Sequence, residues 1–291
     1  LPIGYKWYAK EIATDEHYIL SNKHYQFNTD YAGQNTKVIA IDVNGNEKIE
    51  NTLKRGKVEG VKTNKDNDKL EGATIGIFKI DTTEFTEKTA IVTTKTDKDG
   101  AFSFNNIPYG EWVVKEIAAP TGYAVDATQH HIYISDDGVV INVTMVDKQV
   151  QISKTDITGE KEVVGAELTI TDESGNVVDS WTSTDTAHYA NGLVEGQKYT
   201  LTEKTAPYGY EVANSIVFVV TNDKATQTVV MNDSPILSSV LVNKVDSITG
   251  ENIISKKFEF TLYSDAECKN EIVTVNANTD DGTALFSDLI Y

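Results

Sequence analysis

Cysteine, proline, long apolar runs and basic residues are all scarce in this chain of 291 residues. Cys268 is the only cysteine, so no disulfide can form within the chain and its stability must have another source. No apolar run is long enough for a transmembrane helix, so no membrane insertion of this segment is expected. With 26 Lys+Arg against 44 Asp+Glu, the formal charge is −18, which argues against nucleic acid or an anionic membrane surface as a partner.

Short stretches of alternating apolar and polar residues dominate what remains. The 14 tyrosines and the many threonines and valines favour β structure, and Gly, Asn and Asp separate the stretches as turns. No segment longer than about one turn keeps helical periodicity. The sequence therefore predicts an all-β protein built from small β-sandwiches.

Three sequence blocks recur in a constant order, which indicates tandem domains. A lysine block is followed by a glutamate block ending in tyrosine and by a short block ending in Asp or Asn. The lysine blocks are residues 58–73, 150–166 and 240–256, the glutamate blocks 1–18, 107–123 and 193–210, and the closing blocks 47–51, 141–147 and 228–233. The predicted domains are thus 55–148 and 149–235, with the back half of a unit at 1–54 and the front half of another at 236–291.

Each complete unit directs a Lys, a Glu and an Asp towards its own core. Residues i, i+2 and i+4 of a strand share one face, and the ionisable residues continue faces that are otherwise apolar. These residues are Lys62, Glu116 and Asp147 in the first complete unit, and Lys154, Glu203 and Asp233 in the second.

Burial of such residues as isolated charges is prohibitive, so they must form pairs or shift their pKa values. A desolvated lysine that loses its proton is a nucleophile, and a desolvated glutamate that keeps its proton can polarise a carbonyl and transfer protons. An Asp or Asn side chain held close by would then be the electrophile of a Lys–Asp or Lys–Asn amide. A buried, hydrogen-bonded ion network is the alternative that the residues alone leave open.

The ordered blocks resemble a known family. The segments SKTD at 153–156, YTLTEKTAPYGYEV at 199–212 and MVD at 145–147 are similar to those of CnaB-type (SpaA-like, collagen-adhesin B-type) domains of Gram-positive pilins and surface adhesins. The resemblance extends over essentially the whole chain. It implies tandem transthyretin-like, inverse-immunoglobulin sandwiches, each with a self-formed isopeptide bond between its first and last strands.

The same resemblance implies roles for individual residues. Lys62 and Lys154 would be nucleophiles, Glu116 and Glu203 catalysts, and Asp147 and Asp233 acceptors. Asn232 beside Asp233 is an alternative acceptor, although strand phase and the match of M-x-D with Asp147 favour Asp233. The half-units carry the remaining candidates, which are Glu11, Asn51 and Lys244.

The function predicted on this basis is structural. The chain would be a stalk or shaft segment at the surface, cell wall or pilus of a Gram-positive bacterium, with one autocatalytic bond per domain and no turnover catalysis. A ligand-binding adhesin module for host matrix protein or glycan is the alternative, with residues 30–46 as its candidate surface. The half-units are compatible with a piece of a longer tandem array and with head-to-tail assembly of copies. In the second case a Lys244–Asn51 amide, with Glu11 as its catalyst, would seal the contact.

No cofactor and no metal site are expected. Asn64, Asp66 and Asp68 imitate the start of a calcium loop, but the required glycine is missing and the twelfth position would be Ile75. The five histidines show no metal-ligand spacing.

Overall fold

The structure, a computed structural model, describes residues 1–2, 4–28, 50–255 and 257–290. All regular secondary structure in these ranges is β-strand, which confirms the all-β prediction. Among the described residues no helix is long and apolar enough to span a bilayer. The chain divides into two compact units, the first formed by 1–150, 190–197 and 219–227, and the second by 151–189, 198–218 and 228–291.

The strands of residues 1–148 are at most ten residues long. They are β1 (Lys6–Lys10), β2 (Tyr18–Ile19), β3 (His24–Asn28), β4 (Thr52–Leu53), β5 (Arg55–Asn64), β6 (Thr74–Lys79), β7 (Val92–Lys95), β8 (Ala101–Pro108), β9 (Gly110–Ala118), β10 (His130–Ile134) and β11 (Val140–Asp147). Strands such as β5 and β8 alternate between more and less buried side chains.

Two sheets built from β5 to β11 form a sandwich. One sheet has the order β10-β9-β6-β7 with antiparallel neighbours, and the other has the order β11-β5-β8. Strands β5 and β8 are antiparallel, whereas β5 and β11, the first and last strands of the sandwich, are parallel. Both sheets contribute to the core, which consists of Val58, Ala73, Ile75, Ile77, Phe102, Phe104, Ile107, Val114, Ile134, Val143 and Met145.

A glycine in β5 allows the sheet faces to approach closely at this core. A Cβ atom at Gly60 would lie 2.1 Å from the Phe102 ring and 2.5 Å from the backbone oxygen of Val143. Gly60 lies on the inward face between Val58 and Lys62, and a larger residue at this position would collide with the Phe102 ring.

The strands from residue 150 onward repeat this architecture. They are β12 (Val150–Asp156), β13 (Glu167–Thr171), β14 (Val177–Thr182), β15 (His188–Tyr189), β16 (Lys198–Thr205), β17 (Ile216–Val219), β18 (Gln227–Asp233), β19 (Leu237–Asn243), β20 (Glu259–Tyr263), β21 (Glu271–Asn276) and β22 (Thr283–Ile290). The sheets β14-β13-β16-β17 and β15-β12-β18 again combine four strands with three.

The segments at the two ends contain smaller sheets. Strand β1 pairs with β3, β2 with β4, β19 with β22 and β20 with β21, all antiparallel. Among the described strands, β19 has no neighbour on the side where β5 meets β11 in the complete sandwich. One edge of β19 is therefore left unpaired within the described part of the chain.

Candidate functional site

Lys62 lies near the end of β5, and the backbone around it is held on both sides. Its amide donates to the backbone oxygen of Gly100 over 2.8 Å, and its own backbone oxygen accepts from Leu70 N over 3.1 Å. Gly100 has a φ of +68°, and a Cβ there would lie 2.4 Å from the Lys62 oxygen. Only glycine combines this conformation with this contact, so the turn fixes the position of Lys62.

Glu116 from β9 and Asp147 from β11 meet the Lys62 side chain in the core. The Lys62 Nζ atom lies 2.9 Å from Glu116 Oε2 and contacts Asp147 Oδ1. All three side chains are fully buried. The parallel register places Met145 of β11 opposite Lys62, which brings Asp147 to the end of the strand pair.

Burial and the charge of Glu116 raise the pKa of Asp147 to about 8, although Lys62 opposes the shift. This shift favours the protonated form of Asp147. The reason is that two carboxyl groups share one ammonium group, so one of them stays neutral. A protonated Asp147 is an acid whose hydroxyl can leave as water, which suits the acceptor role.

Hydrogen bonding in this cluster is incomplete. Among the described residues, Lys62 Nζ, Glu116 Oε1 and both carboxyl oxygens of Asp147 are buried without a partner of good hydrogen-bond geometry. A buried polar atom without a partner costs about 1–3 kcal/mol, and more when it is charged. The three groups are thus in ion-pair contact, while several of their buried polar atoms lack a hydrogen bond of good geometry.

The second complete domain holds an equivalent cluster. Lys154 Nζ of β12 lies 3.1 Å from Glu203 Oε1 of β16 and contacts Asp233 Oδ1 of β18, and all three side chains are buried. Burial raises the pKa of Asp233, with Lys154 opposing the shift. Asn232 is exposed and accepts a hydrogen bond from Thr155 Oγ1 over 2.8 Å, so it faces away from the lysine.

A backbone amide ten residues further along the chain donates to each glutamate that the sequence analysis predicts as a catalyst. Asp126 N donates to Glu116 Oε2 over 2.7 Å, and Ala213 N donates to Glu203 Oε2 over 2.5 Å. Glu11 in the first half-unit receives the same contact from Ser21 N over 2.9 Å. In Glu203 the other carboxylate oxygen contacts Lys154 Nζ, whereas in Glu116 the oxygen that accepts the amide also contacts Lys62 Nζ.

The first half-unit also brings Glu11 and Asn51 together. Asn51 Nδ2 donates to Glu11 Oε1 and to Thr14 Oγ1, each over 2.7 Å. The hydrogen bond from Asn51, followed by the one from Ser21, lowers the pKa of Glu11. Asn51 Oδ1 is buried without a hydrogen-bond partner among the described residues. The glutamate and the acceptor candidate of this half-unit are thus in contact.

Lys244, the lysine candidate of the last half-unit, is exposed in the second compact unit. Its Nζ atom lies 5.6 Å from the centre of the Phe258 ring. Val240, four residues earlier on the same strand face, is also exposed, at 44%. The face that buries Lys62 and Lys154 in the complete domains is therefore open at Lys244.

Two further sequence features are less informative. Asn64 Oδ1 accepts the backbone amides of Asp66 and Asp68, so the calcium-like segment forms a local turn. Among the described residues no group of three or more His, Cys, Asp or Glu could hold a metal ion. Residues 30–46, the candidate ligand-binding surface, lie outside the described residues.

The sequence argument missed a second cluster of ionisable residues, formed by Asp126, Glu195 and Lys224. Asp126 and Glu195 are buried although neither continues an apolar strand face. Asp126 stands ten residues after Glu116, but only the structure pairs it with Lys224.

A family model described as the SpaA prealbumin-like fold domain matches the chain twice, at residues 56–149 and 148–235. The chain therefore belongs to the family of SpaA prealbumin-like domains, which confirms both the resemblance and the tandem sandwich fold. No curated protein matches the sequence.

Several solved structures of surface proteins share partial similarity with the chain. The Bacillus anthracis TIE protein is 24% identical, with 81% of this chain and 44% of that protein covered and a TM-score of 0.40. A streptococcal ancillary pilin is 21% identical over 81% of this chain and 76% of its own length, with a TM-score of 0.34. The shaft pilin SpaA of Lactobacillus rhamnosus GG is 13% identical over 63% and 98%, with a TM-score of 0.31. The chain thus spans less than half the length of the TIE protein.

Proposed function

We propose that this chain is a covalently locked structural segment of a Gram-positive surface adhesin or pilus-like filament. Each complete domain forms one intramolecular isopeptide bond, Lys62–Asp147 in the first and Lys154–Asp233 in the second. The observation that carries the proposal is the fully buried contact of a lysine with a glutamate and an aspartate in both domains. Membership of the SpaA family supports the structural role.

The contacts support a specific order of proton transfers in the first domain. The Lys62 ammonium gives a proton to the Glu116 carboxylate, and the neutral amine attacks Cγ of the protonated Asp147. The N–Cγ bond forms, the bond from Cγ to the hydroxyl breaks, and Glu116 passes the second amine proton to the leaving hydroxyl. The products are an amide, one water and a Glu116 that keeps the proton it first received.

This reaction removes all formal charge from the core. The reactants are an ammonium, a carboxylate and a carboxylic acid, whereas the products are an amide, a carboxylic acid and water. Desolvation of buried ions commonly exceeds their mutual attraction, so neutral products are favoured in this apolar setting. The incomplete hydrogen bonding of Lys62, Glu116 and Asp147 argues in the same direction and against a purely structural ion network.

A bond between the first and last strands has a mechanical consequence. Tension entering at β5 and leaving at β11 would cross the Lys62–Asp147 amide instead of the chain between them. Those about 85 residues would otherwise extend by roughly 280–300 Å on unfolding. The parallel pairing of β5 and β11 supports this reading, because both strand ends that carry the bond lie at the same end of the sandwich.

Intact mass of the purified full chain tests the proposal. We expect a deficit of two waters relative to the sequence mass, and peptide mapping should locate cross-linked peptides containing Lys62 with Asp147 and Lys154 with Asp233. If Asn232 were the acceptor in place of Asp233, the second bond would release ammonia instead of water. Lys62→Ala and Lys154→Ala are matched controls, because each should restore one water. An uncorrected mass in the wild-type chain would refute both bonds.

We also propose that the half-units pair between copies, with Lys244 of one copy joined to Asn51 of the next and Glu11 as the catalyst. The contact of Glu11 with Asn51 and the open face at Lys244 support this assembly. An unpaired edge on β19 favours addition of a strand from outside the described part of the chain. Such a head-to-tail contact would propagate as an open filament. The alternative, that neighbouring domains of a longer chain complete both halves, is distinguished by the Lys244 variant described below.

A further inference from the structure

A second cluster of charged side chains lies next to the Lys62 site but takes no part in its chemistry. Lys224 Nζ lies 2.8 Å from Glu195 Oε1, 2.9 Å from Glu195 Oε2 and 3.2 Å from Asp126 Oδ1. The carboxyl groups are almost fully buried, with side-chain exposures of 3% for Glu195 and 5% for Asp126. A single half-buried lysine thus pairs with two buried carboxyl groups.

The cluster joins the segment around Asp126 to two segments from further along the chain. Glu195 belongs to 190–197 and Lys224 to 219–227, and both segments are part of the same compact unit as residues 1–150. Both also fall within the second match to the SpaA family, at 148–235. Residues that the family assigns to the second domain therefore pack on the segment that follows Glu116.

Backbone hydrogen bonds reinforce this attachment. Val125 N donates to the backbone oxygen of Leu193 over 2.8 Å, and Glu195 N donates to that of Val125 over 3.1 Å. Together they form a parallel bridge beside the charged cluster. The segment 124–126 is thus fixed on one side by backbone bonds and on the other by Lys224.

We propose that Lys224 and Glu195 are positioning residues for isopeptide formation in the first domain. They anchor Asp126, whose backbone amide holds the Glu116 carboxylate on the Lys62 amine. This inference rests on the proposed function. It adds that folding of the following domain assists formation of the bond in the preceding domain.

The path from the cluster to the catalyst is short. Asp126 N lies 2.7 Å from Glu116 Oε2, and Glu116 Oε2 lies 2.9 Å from Lys62 Nζ. The same carboxylate oxygen therefore receives the positioning amide and contacts the nucleophile. A displacement of about 1 Å in a catalytic group can lower a rate by about 100-fold, so the placement of Asp126 bears directly on the reaction.

Electrostatics favour a charged Asp126 in this arrangement. Burial opposes its ionisation, but the hydrogen bonds from Thr128 and the charges of Lys224 and Lys62 outweigh burial and lower the pKa of Asp126 to about 2. Burial raises the pKa of Glu195, with Lys224 opposing the shift. Without Lys224, two buried carboxyl groups would face each other, and repulsion or proton uptake would displace the Asp126 side chain.

The second domain provides a matched internal control. Its catalyst Glu203 receives the corresponding amide from Ala213, a residue with no ionisable side chain. The Lys154–Asp233 bond therefore has the same amide contact without the charged anchor. A change at Lys224 should slow one bond and spare the other in the same molecule.

Time-resolved peptide mapping of newly synthesised full chain by mass spectrometry tests the proposal. In Lys224→Met we expect the rate of Lys62–Asp147 formation to fall by about tenfold or more, because the catalyst loses its anchored amide. The Lys154–Asp233 rate should stay within about twofold of the wild type. Lys224→Arg, which keeps the cation, should restore most of the lost rate.

A second variant and a stability measurement keep the outcome interpretable. Asp126→Asn keeps the backbone amide and a side chain of the same shape but removes the ion pair, so it should slow the same bond. Thermal unfolding of Lys224→Met in an unreactive Lys62→Ala background identifies a temperature at which the domain stays folded, and rates are compared there. If Lys224→Met and Asp126→Asn both form the Lys62–Asp147 bond at the wild-type rate, the positioning role is overturned and the proposed function is unaffected. Absence of the Lys62–Asp147 bond from the wild type would instead overturn the proposed function and this inference with it.

Discussion

Replacement of Glu116 by alanine should abolish the Lys62–Asp147 bond and leave the sandwich folded. Glu116 is one side chain on β9, whereas the core of the domain is formed by the apolar residues of both sheets. The lost bond closes a loop of about 86 residues, which the chain-entropy treatment values at about 4–5 kcal/mol. With an unfolding entropy of about 0.2 kcal/mol/K for a domain of this size, the midpoint of its transition should fall by about 20 °C.

Two effects contribute to that fall and are separable. Glu116→Ala removes the bond and also deprives the buried Asp126 amide of its acceptor, which costs about a further 1–3 kcal/mol. Glu116→Gln keeps an acceptor oxygen for that amide but cannot take up the lysine proton. Glu116→Gln should therefore also lose the bond, but its unfolding midpoint should fall by less than that of Glu116→Ala.

Intact mass and differential scanning calorimetry on the full chain provide the assay. Each Glu116 variant should gain the mass of one water over the wild type, and one of the calorimetric transitions should move down. Glu203→Ala is the matched control, because it should restore one water by loss of the other bond while Lys62–Asp147 remains. A Glu116→Ala chain with the full wild-type mass deficit would refute the catalytic assignment, and an unchanged midpoint in a chain without the bond would refute the stability argument.

The remaining predictions concern pH and assembly. Lys62→Met cannot form the bond, and it removes the cation that opposes the upward shift, so burial and Glu116 keep the pKa of Asp147 above its usual range in the folded domain. The folded domain therefore holds a proton that the unfolded chain releases near pH 4. Stability of this variant should therefore fall as pH rises from about 4 to 8, and a higher melting temperature at pH 8 than at pH 5 would contradict the assignment. Denaturing electrophoresis of concentrated wild-type chain should show a ladder that Lys244→Ala abolishes. A single monomeric band from the wild type would leave the half-units to be completed by neighbouring domains of a longer chain.

Periodicity alone was sufficient to predict that Lys62 and Lys154 face inward in the complete domains. In a strand every second residue points the same way, so Lys62 after Val58 and Gly60 had to continue the inward face once the domain formed a sandwich. The same argument applied to Lys154, where the surrounding residues alternate in the same phase. Lys244 differs: it is exposed in a half-unit in which, among the described strands, β19 pairs only with β22.

The sequence by itself determined the fold class, the repeat and the inward direction of each Lys, Glu and Asp, because these depend on local strand geometry and on self-similarity. Only the tertiary structure revealed that the pKa of Asp147 is raised, since that shift depends on burial and on Glu116 across the core. The same is true of the anchor at Asp126, whose partners Glu195 and Lys224 lie far along the chain and follow no strand period. Contacts of that kind arise from loop packing, for which a linear pattern contains no signal.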